Sequence, residues 1–233
     1  MARILGVELV PLHVPLQRRL QTLAVILFAA LFLFVPLLLL FGTLWLALSD
    51  YAWLIPLYSA WMYYDWDTSK RGSRASGWVR RLFLLHWLKD YFPVGLRKTA
   101  ELPPERNYIL GCHPHGVLAF GAFVNFASDT TGFQELFPGI RPHLVTLVGQ
   151  FRFPLRRELI MATGAIESSR ESIEWAARHP DKGRAVVIVV GGASEVLNAR
   201  PGDYQIIMSR RRGFIRMALE TGPFSPSEFR GKF

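Results

Sequence analysis

A long apolar stretch near the amino terminus limits the folds that this chain can adopt. Apart from Asp50, no charged residue occurs from Leu20 to Tyr64. A helix needs roughly 20 apolar residues to cross the hydrocarbon layer of a membrane, so this stretch has room for two spans. We therefore predict a membrane hairpin over residues 21–65, with spans at about Leu23–Gly42 and Leu44–Tyr64 joined by a short link.

Basic residues flank the predicted hairpin on both sides and indicate its orientation. They are Arg3, Arg18 and Arg19 before it, and Lys70, Arg71, Arg74, Arg80 and Arg81 after it. Because basic flanks prefer the cytosol, a pair of spans that returns the chain to that side satisfies both. Residues 1–20 are then a cytosolic segment, and Tyr63, Tyr64 and Trp66 suit the membrane interface. A re-entrant hairpin that enters and leaves one leaflet is the alternative.

The charge balance and the cysteine content restrict the partners of the chain. Its 233 residues include 27 basic and 18 acidic side chains, a formal net charge of +9. Such an excess indicates a nucleic acid, an anionic membrane surface or a phosphate-bearing ligand. The 51% share of hydrophobic residues argues against a disordered tail that binds nucleic acid. A single cysteine, Cys112, excludes an intramolecular disulfide and is interpreted as a small core residue.

Strands and helices alternate in the remainder of the chain. Residues 66–85 are predicted to be a basic linker and interfacial segment. The apolar run Leu82–Leu88, which begins at the end of this segment, is predicted to form a helix on the membrane surface. Three segments are typical of strands: Tyr108–Cys112, Leu144–Val148 and Ala185–Val190. Three others are typical of helices: Val117–Ser128, the segment from the Ser168 and Glu171 capping box to about Arg178, and Arg212–Glu220. This alternation predicts an α/β fold with a largely parallel sheet.

Two histidines lie on a bend that follows the first of these strands, in the sequence Cys112-His113-Pro114-His115-Gly116. Proline fixes the backbone between the two rings and glycine frees it after them. Histidine is the side chain best suited to proton transfer near neutral pH. If the first and last strands are neighbours, Glu195 after Gly191-Gly192 converges on the same sheet edge. The alternatives are histidines that act as polar caps of a turn and a Glu195 that is an ordinary surface carboxylate.

Four arginines near the carboxyl terminus form a basic cluster: Arg210, Arg211, Arg212 and Arg216. Guanidinium groups match phosphate oxygens, so the cluster is predicted to bind phosphates. The alternatives are a solvated helix face and a face against anionic lipid headgroups.

A metal site is weighed because His-x-His at a strand end also occurs in metallohydrolases. Such a site needs further ligands at suitable spacing, and the remaining histidines, His86, His143 and His179 among them, are scattered. We predict no metal, and keep a membrane-anchored metallohydrolase as a minor alternative.

Several motifs together resemble the diacylglycerol acyltransferase 2 family, which includes monoacylglycerol, diacylglycerol and wax-alcohol acyltransferases. They occur in the family's order from about Arg18 to Gly222, and they are Asp90-Tyr91-Phe92-Pro93, Lys98-Thr99-Ala100-Glu101-Leu102, Asn107-Tyr108-Ile109, the His113-Pro114-His115-Gly116 turn, Phe137-Pro138-Gly139, Val190-Gly191-Gly192-Ala193-Ser194-Glu195, Arg200-Pro201-Gly202 and Arg212-Gly213-Phe214-Ile215-Arg216-Met217-Ala218.

The resemblance implies an endoplasmic reticulum enzyme whose hairpin precedes a glycerolipid-acyltransferase-like αβ domain. Its catalytic side faces the cytosol, and it can associate with lipid droplets. It implies transfer of a fatty acyl group from acyl-CoA, a co-substrate, to a monoacylglycerol or diacylglycerol in triacylglycerol synthesis, without a cofactor and without nucleic acid as a partner. His115 is then expected to be the base, His113 its close support and Glu195 the family's acidic position, with the arginine cluster on the CoA phosphates. The residues do not separate the two histidines.

One departure from the family follows Gly222, where relatives continue with an apolar strand. Residues 223–233 instead form an atypical polar tail, so residues 86–222 are expected to be an acyltransferase domain that lacks its carboxyl-terminal part. The alternatives are a truncated, non-catalytic membrane protein that forms homo- or hetero-oligomers with full-length relatives, and a wax-alcohol acyltransferase.

Overall fold

A parallel sheet organises the second half of the chain in the computed structural model, which describes residues 3–4, 7–8, 14–113, 116, 118–198, 200, 206 and 212–222. Its strands are β3 (Tyr108–Cys112), β4 (Arg141–Thr146), β5 (Ile166–Glu167) and β6 (Arg184–Val189), in the spatial order β3-β6-β4-β5. Every strand pairing in this four-stranded sheet is parallel, which confirms the α/β fold. Two short strands, β1 (Arg3–Ile4) and β2 (Val7–Glu8), form a separate antiparallel pair.

Helices precede the sheet and connect its strands. The described helices are α1 (Leu16–Leu33), α2 (Val35–Ala47), α3 (Leu54–Tyr64), α4 (Gly77–Arg80), α5 (Phe83–Tyr91), α6 (Phe120–Ala122), α7 (Phe133–Leu136), α8 (Arg156–Ala162), α9 (Arg170–Arg178), α10 (Gly192–Asn198) and α11 (Gly213–Thr221). A π-helical turn (Phe123–Ala127) continues α6, and two 3-10 turns lie at Trp66–Ser69 and Val148–Arg152.

The sheet is covered on both faces, and alternate residues of β6 point to opposite layers. Val186 packs in a cluster with residues of α9 and α11, whereas Val187 packs in a cluster with the π-helical turn and α8. Both valines are fully buried. A strand buried on both faces has an uninterrupted apolar sequence, which explains why β6 was predictable.

The strand predictions agree with the structure for β3 and nearly for β6, but the prediction for β4 is displaced. Leu144–Val148 was expected, and the strand spans Arg141–Thr146. The part of the strand outside the prediction includes His143, a polar residue that departs from the apolar pattern of a buried strand. His143 is buried, with Nδ1 3.3 Å from the Gly164 carbonyl oxygen and Nε2 3.3 Å from an Arg184 nitrogen.

Three helix boundaries also differ from the predictions. Ser169 caps α9 instead of Ser168, since its hydroxyl accepts a hydrogen bond from the Ser172 amide at 3.2 Å. The helix expected at Val117–Ser128 is described only from Phe120 and is partly π-helical. The last helix, α11, lies one residue further along than expected and ends before Gly222, whose φ of +72° glycine adopts without strain.

The predicted hairpin is divided differently from expectation. The link expected between Gly42 and Leu44 lies inside α2, and the breaks fall at Phe34 and at residues 48–53. Among the helices that the structure describes, none alone is long and apolar enough to cross a membrane. The pair Leu16–Leu31 and Val35–Ala47, bent by 54°, meets the length and composition requirements together.

Residues 66–85 pack against the sheet domain and against α1. The Gly72 backbone lies against the Trp175 ring, and the Ser73 hydroxyl donates to the Ala165 carbonyl oxygen. The predicted surface helix begins at Phe83 and buries Leu85 and Leu88 in a cluster with side chains of α1 and the π-helical turn. This apolar face of α5 is therefore a protein contact, and the interfacial position of the helix stays a prediction.

Candidate active site

Two neighbouring strands bring the predicted site residues to one edge of the sheet. Cys112 at the end of β3 is paired with Val189 at the end of β6, and the Val190 amide donates to the Cys112 carbonyl oxygen at 3.4 Å. His113 therefore leaves β3 beside the point where Gly191 follows β6. Ligands of open α/β folds bind at this carboxyl edge.

His113 and Glu195 face each other at this edge. The distance between His113 Nδ1 and Glu195 Oε1 is 3.8 Å, with 16% of the histidine side chain and 2% of the glutamate side chain exposed. Both ring nitrogens of His113 are buried, and neither has a hydrogen-bond partner among the described residues. This distance is longer than a hydrogen bond, so the glutamate carboxylate and the imidazole ring interact through electrostatic attraction alone. Such a pair can accept a proton and balance the resulting positive charge.

Two glycines allow the carboxylate to take this position. A Cβ atom on Gly191 would lie 1.9 Å from Glu195 Cδ, so only glycine leaves room for the carboxylate against this backbone. Gly192 has a φ of +60° and begins α10, which places Glu195 in the first turn of that helix.

An aromatic ring of α11 lies against Gly111, the glycine of β3 that the His113 ring also approaches. A Cβ atom on Gly111 would lie 3.5 Å from the Phe214 ring and 3.8 Å from His113 Nε2. Both side chains thus approach the bare backbone of β3. Sequence reasoning missed Phe214 as a neighbour of the site; its place in the Arg212–Ala218 motif was the available signal.

The Tyr91-Phe92-Pro93 motif has a packing role close to the histidine turn. The Phe92 ring stacks on Phe120, the first residue of α6, with ring centroids 4.6 Å apart. Tyr91 lies beneath the Arg18 guanidinium, 4.5 Å from its carbon atom to the ring centroid. The motif therefore ties the end of α5 to α1 and to the helix that follows the turn.

The other predicted residues are only partly described. Pro114, His115, Arg210 and Arg211 lie outside the described residues. Gly116 has a φ of +61°, a left-handed conformation that favours glycine at this bend. Arg212 and Arg216 are exposed, and Arg216 Nε donates to Glu220 Oε1 at 2.7 Å. The phosphate role of this cluster stays a prediction.

Burial changes the titration of two groups near the sheet. Burial raises the pKa of the Cys112 thiol, so the thiol is protonated at neutral pH. Burial lowers the pKa of His143 to about 4, which keeps this second histidine neutral and structural. Within the described ranges, no group of three or more His, Cys, Asp or Glu side chains is arranged to hold a metal ion.

The fold and the site define an α/β domain with a histidine and a buried carboxylate at the carboxyl edge of a parallel sheet. Residues 43–226 match the model of the family described as diacylglycerol acyltransferase. The chain belongs to this diacylglycerol acyltransferase family.

Curated relatives carry two kinds of name. The chain is 42% identical to diacylglycerol O-acyltransferase 2 of Danio rerio, an alignment that covers 88% of this chain and 57% of the relative. It is 47% identical to 2-acylglycerol O-acyltransferase 3 of Homo sapiens, with 71% and 48% covered. For 2-acylglycerol O-acyltransferase 1 of Bos taurus the identity is 42%, with 94% and 65% covered. The chain thus spans about half to two thirds of these relatives. No solved structure matches it significantly.

Proposed function

We propose that this protein is an O-acyltransferase that moves a fatty acyl group from acyl-CoA to the hydroxyl of a monoacylglycerol or diacylglycerol. The observation that carries the proposal is the contact between His113 and the buried Glu195 at the carboxyl edge of the sheet. Family membership supports it, because relatives 42% and 47% identical to this chain are named diacylglycerol or 2-acylglycerol O-acyltransferases.

The histidine turn supplies the base in this proposal. From the family resemblance we assign His115 as the base and His113, whose Nδ1 lies 3.8 Å from Glu195 Oε1, as its close support. The imidazole takes the hydroxyl proton as the acceptor oxygen bonds to the thioester carbonyl carbon. The carbon–sulfur bond then breaks, and the CoA thiolate takes that proton from the imidazolium. The thioester is already activated, so the reaction requires neither a covalent acyl-enzyme nor a cofactor.

The arginine cluster is proposed to hold the phosphates of CoA. Arg212 directly precedes α11, and Phe214 of that helix reaches Gly111 beside the site. Arg212 and Arg216 are both exposed, so their guanidinium groups are accessible to a charged ligand. The net charge of +9 favours approach of the polyanionic co-substrate.

The amino-terminal helices are proposed to anchor the protein in the endoplasmic reticulum membrane, with the sheet domain in the cytosol and access to lipid droplets. None of the described side chains of α2 and α3 is buried, although large apolar residues such as Leu38, Phe41 and Trp45 dominate them. A hydrocarbon environment removes this exposed apolar surface from water. The flanking basic residues support the cytosolic orientation.

The experiment measures acyl transfer in microsomes that contain the full chain. Radiolabelled acyl-CoA is offered with 2-monoacylglycerol, diacylglycerol or a long-chain alcohol, and the labelled product identifies the acceptor. We expect labelled di- or triacylglycerol, with product lost in His115→Ala and retained in the control His86→Ala, because His86 is exposed on α5.

Three results would contradict the proposal. Full activity in His115→Ala removes that residue as the base. Labelling of the alcohol alone assigns the chain to wax-ester synthesis. An inactive chain that co-purifies with a full-length relative indicates a non-catalytic partner.

A further inference from the structure

An exposed apolar patch lies at the start of α8, outside the site. It consists of Phe153, Leu155 and Leu159, whose exposed fractions are 39%, 58% and 48%. We call these three residues the α8 patch. Leu155 directly precedes α8, and Leu159 lies in the first turn and a half of that helix.

Hydrogen bonds fix the α8 patch beside the last helix of the proposed hairpin. The Leu155 amide donates to the Tyr58 hydroxyl oxygen of α3 at 3.0 Å, and that hydroxyl lies 3.4 Å from Glu158 Oε1. Arg74 strengthens this junction, since it pairs with Glu158 at 2.6 Å and lies over the Trp61 ring. The patch and α3 therefore form a continuous surface.

The position of Tyr58 along α3 indicates how deep this surface lies relative to the membrane interface. Tyr63 and Tyr64 at the end of α3 are highly exposed aromatic residues of the kind found at membrane interfaces. Tyr58 precedes Tyr63 by five residues, about 8 Å along a helix. Leu155, bonded to Tyr58, thus lies on the hairpin side of these aromatic residues.

Two charged groups next to the patch, Arg157 and Glu158, are paired, which lowers the cost of placing them near hydrocarbon. Glu158 accepts from Arg74 and from Arg157, and Arg157 also donates to Asp65. The guanidinium of Arg156 lies 5.9 Å from the Phe153 ring centroid. Exposed Arg152 directly precedes the patch and is available to lipid phosphates.

We infer that the α8 patch is a second, shallow membrane contact, which inserts among the lipids of the leaflet from which α3 emerges. This inference rests on the proposed membrane anchoring. The patch follows β4 at the carboxyl edge of the sheet, the edge that also carries His113. Two attachment points therefore hold this edge against the bilayer that dissolves a lipid acceptor.

The test locates single fluorophores in the full chain reconstituted into phosphatidylcholine vesicles. Leu159→Cys reports on the α8 patch, Leu38→Cys on the proposed hairpin, and Leu219→Cys serves as the control. Leu219 is at least as exposed as Leu159, 60% against 48%, but belongs to α11, on the face of the sheet opposite α8. Wild-type protein labelled in parallel gives the background from Cys112. Each variant is exposed to lipids with a nitroxide on the acyl chain and, separately, to iodide in the buffer.

We expect the nitroxide lipid to quench the labels at Leu38 and Leu159 to a comparable extent, and iodide to quench the label at Leu219. If Leu38 is quenched by lipid while Leu159 is quenched by iodide, the second contact is wrong and the anchoring stands. If iodide quenches all three labels, the proposed anchoring fails and the inference fails with it.

Discussion

At the scale of single residues, Gly191 determines where the Glu195 carboxylate can lie. The carboxylate folds back against the glycine backbone and is thereby directed toward His113. A side chain at position 191 competes for the same volume as the Glu195 carboxylate. Position 191 therefore controls the geometry of the site.

Gly191→Ala is expected to lower acyl transfer by at least about tenfold, or about 1.4 kcal/mol of transition-state stabilisation. The added methyl carbon would overlap the Glu195 carboxyl carbon, so the carboxylate moves away from His113. The measurement is kcat/KM in microsomes. Gly121→Ala is the control, since a Cβ atom there meets nothing within 4 Å. Equal losses in both variants would show that the effect is not specific to the site.

His143 shows how a buried polar residue links stability to pH. Its pKa in the folded protein is lowered to about 4, mainly by burial, whereas an exposed histidine has a pKa of 6.5. The unfolded chain therefore binds the proton more readily, and protonation favours unfolding. The stability due to the neutral ring is complete above pH 6.5 and is lost as the pH falls toward 4.

We expect the free energy of unfolding to fall by about 3 kcal/mol between pH 6.5 and pH 4 through His143 alone. His143→Gln should flatten this part of the profile, since glutamine does not titrate. The measurement is the unfolding midpoint in detergent as a function of pH. His86→Gln, at an exposed position, should retain the wild-type slope. A slope unchanged in His143→Gln would contradict the assignment.

At the scale of elements, the sequence predicts best those parts whose environment is uniform. Central β6 and edge strand β3 both carry apolar runs, so their positions follow from the residues. The start of β4 and the whole of α8 were not predicted. His143 in β4 and Arg157 in α8 are buried, although polar and charged residues are usually exposed. Their burial depends on partners such as Asp65 and Gly164, which are distant in sequence.

The same reasoning applies to the candidate site. The placement of His113 and Glu195 at one edge depends on β3 and β6 being neighbours, which strand patterns suggest but do not require. The closeness of Gly191 to the carboxylate and of Phe214 to Gly111 depends on contacts between separate elements. No local pattern encodes such contacts, so they emerge only from the fold.

A buried ion pair joins the proposed hairpin to the domain at the same scale. Arg157 is 1% exposed and donates to Asp65 Oδ2 at 2.9 Å and to the Asp65 carbonyl oxygen at 2.9 Å. Asp65 directly follows α3, and Arg157 belongs to α8. Asp65 also pairs with Arg74 and accepts a hydrogen bond from Thr68, so removing Arg157 takes away two of its hydrogen bonds but not all of its charge compensation.

Arg157→Met is accordingly expected to destabilise the folded protein by about 1.5–3 kcal/mol, the scale of lost hydrogen bonds to a charged group. The measurement is the shift of the unfolding midpoint in detergent. Arg178→Met, on the exposed surface of α9, is the matched control and should shift it little. If both variants unfold at the wild-type midpoint, the junction contributes nothing to stability.

At the scale of the whole molecule, the account requires both ends of the described chain on one side of a membrane. The hairpin returns the chain to the side from which it entered, and the basic flanks favour the cytosol. Epitopes placed at each end should therefore both be accessible in cells whose plasma membrane alone is permeabilised. Protection of one epitope would contradict the hairpin, and extraction of the protein by alkaline carbonate would contradict stable insertion.

The central claim is that Glu195 and the histidine turn together perform acyl transfer. Its most direct test compares the rate of labelled acyl transfer to acylglycerol by wild-type protein, Glu195→Gln and Glu174→Gln. Glu174 pairs with Arg170 on the surface of α9, so its change preserves the site. The account predicts that Glu195→Gln loses most of the activity while Glu174→Gln keeps it, at equal protein levels. Wild-type activity in Glu195→Gln would contradict the account.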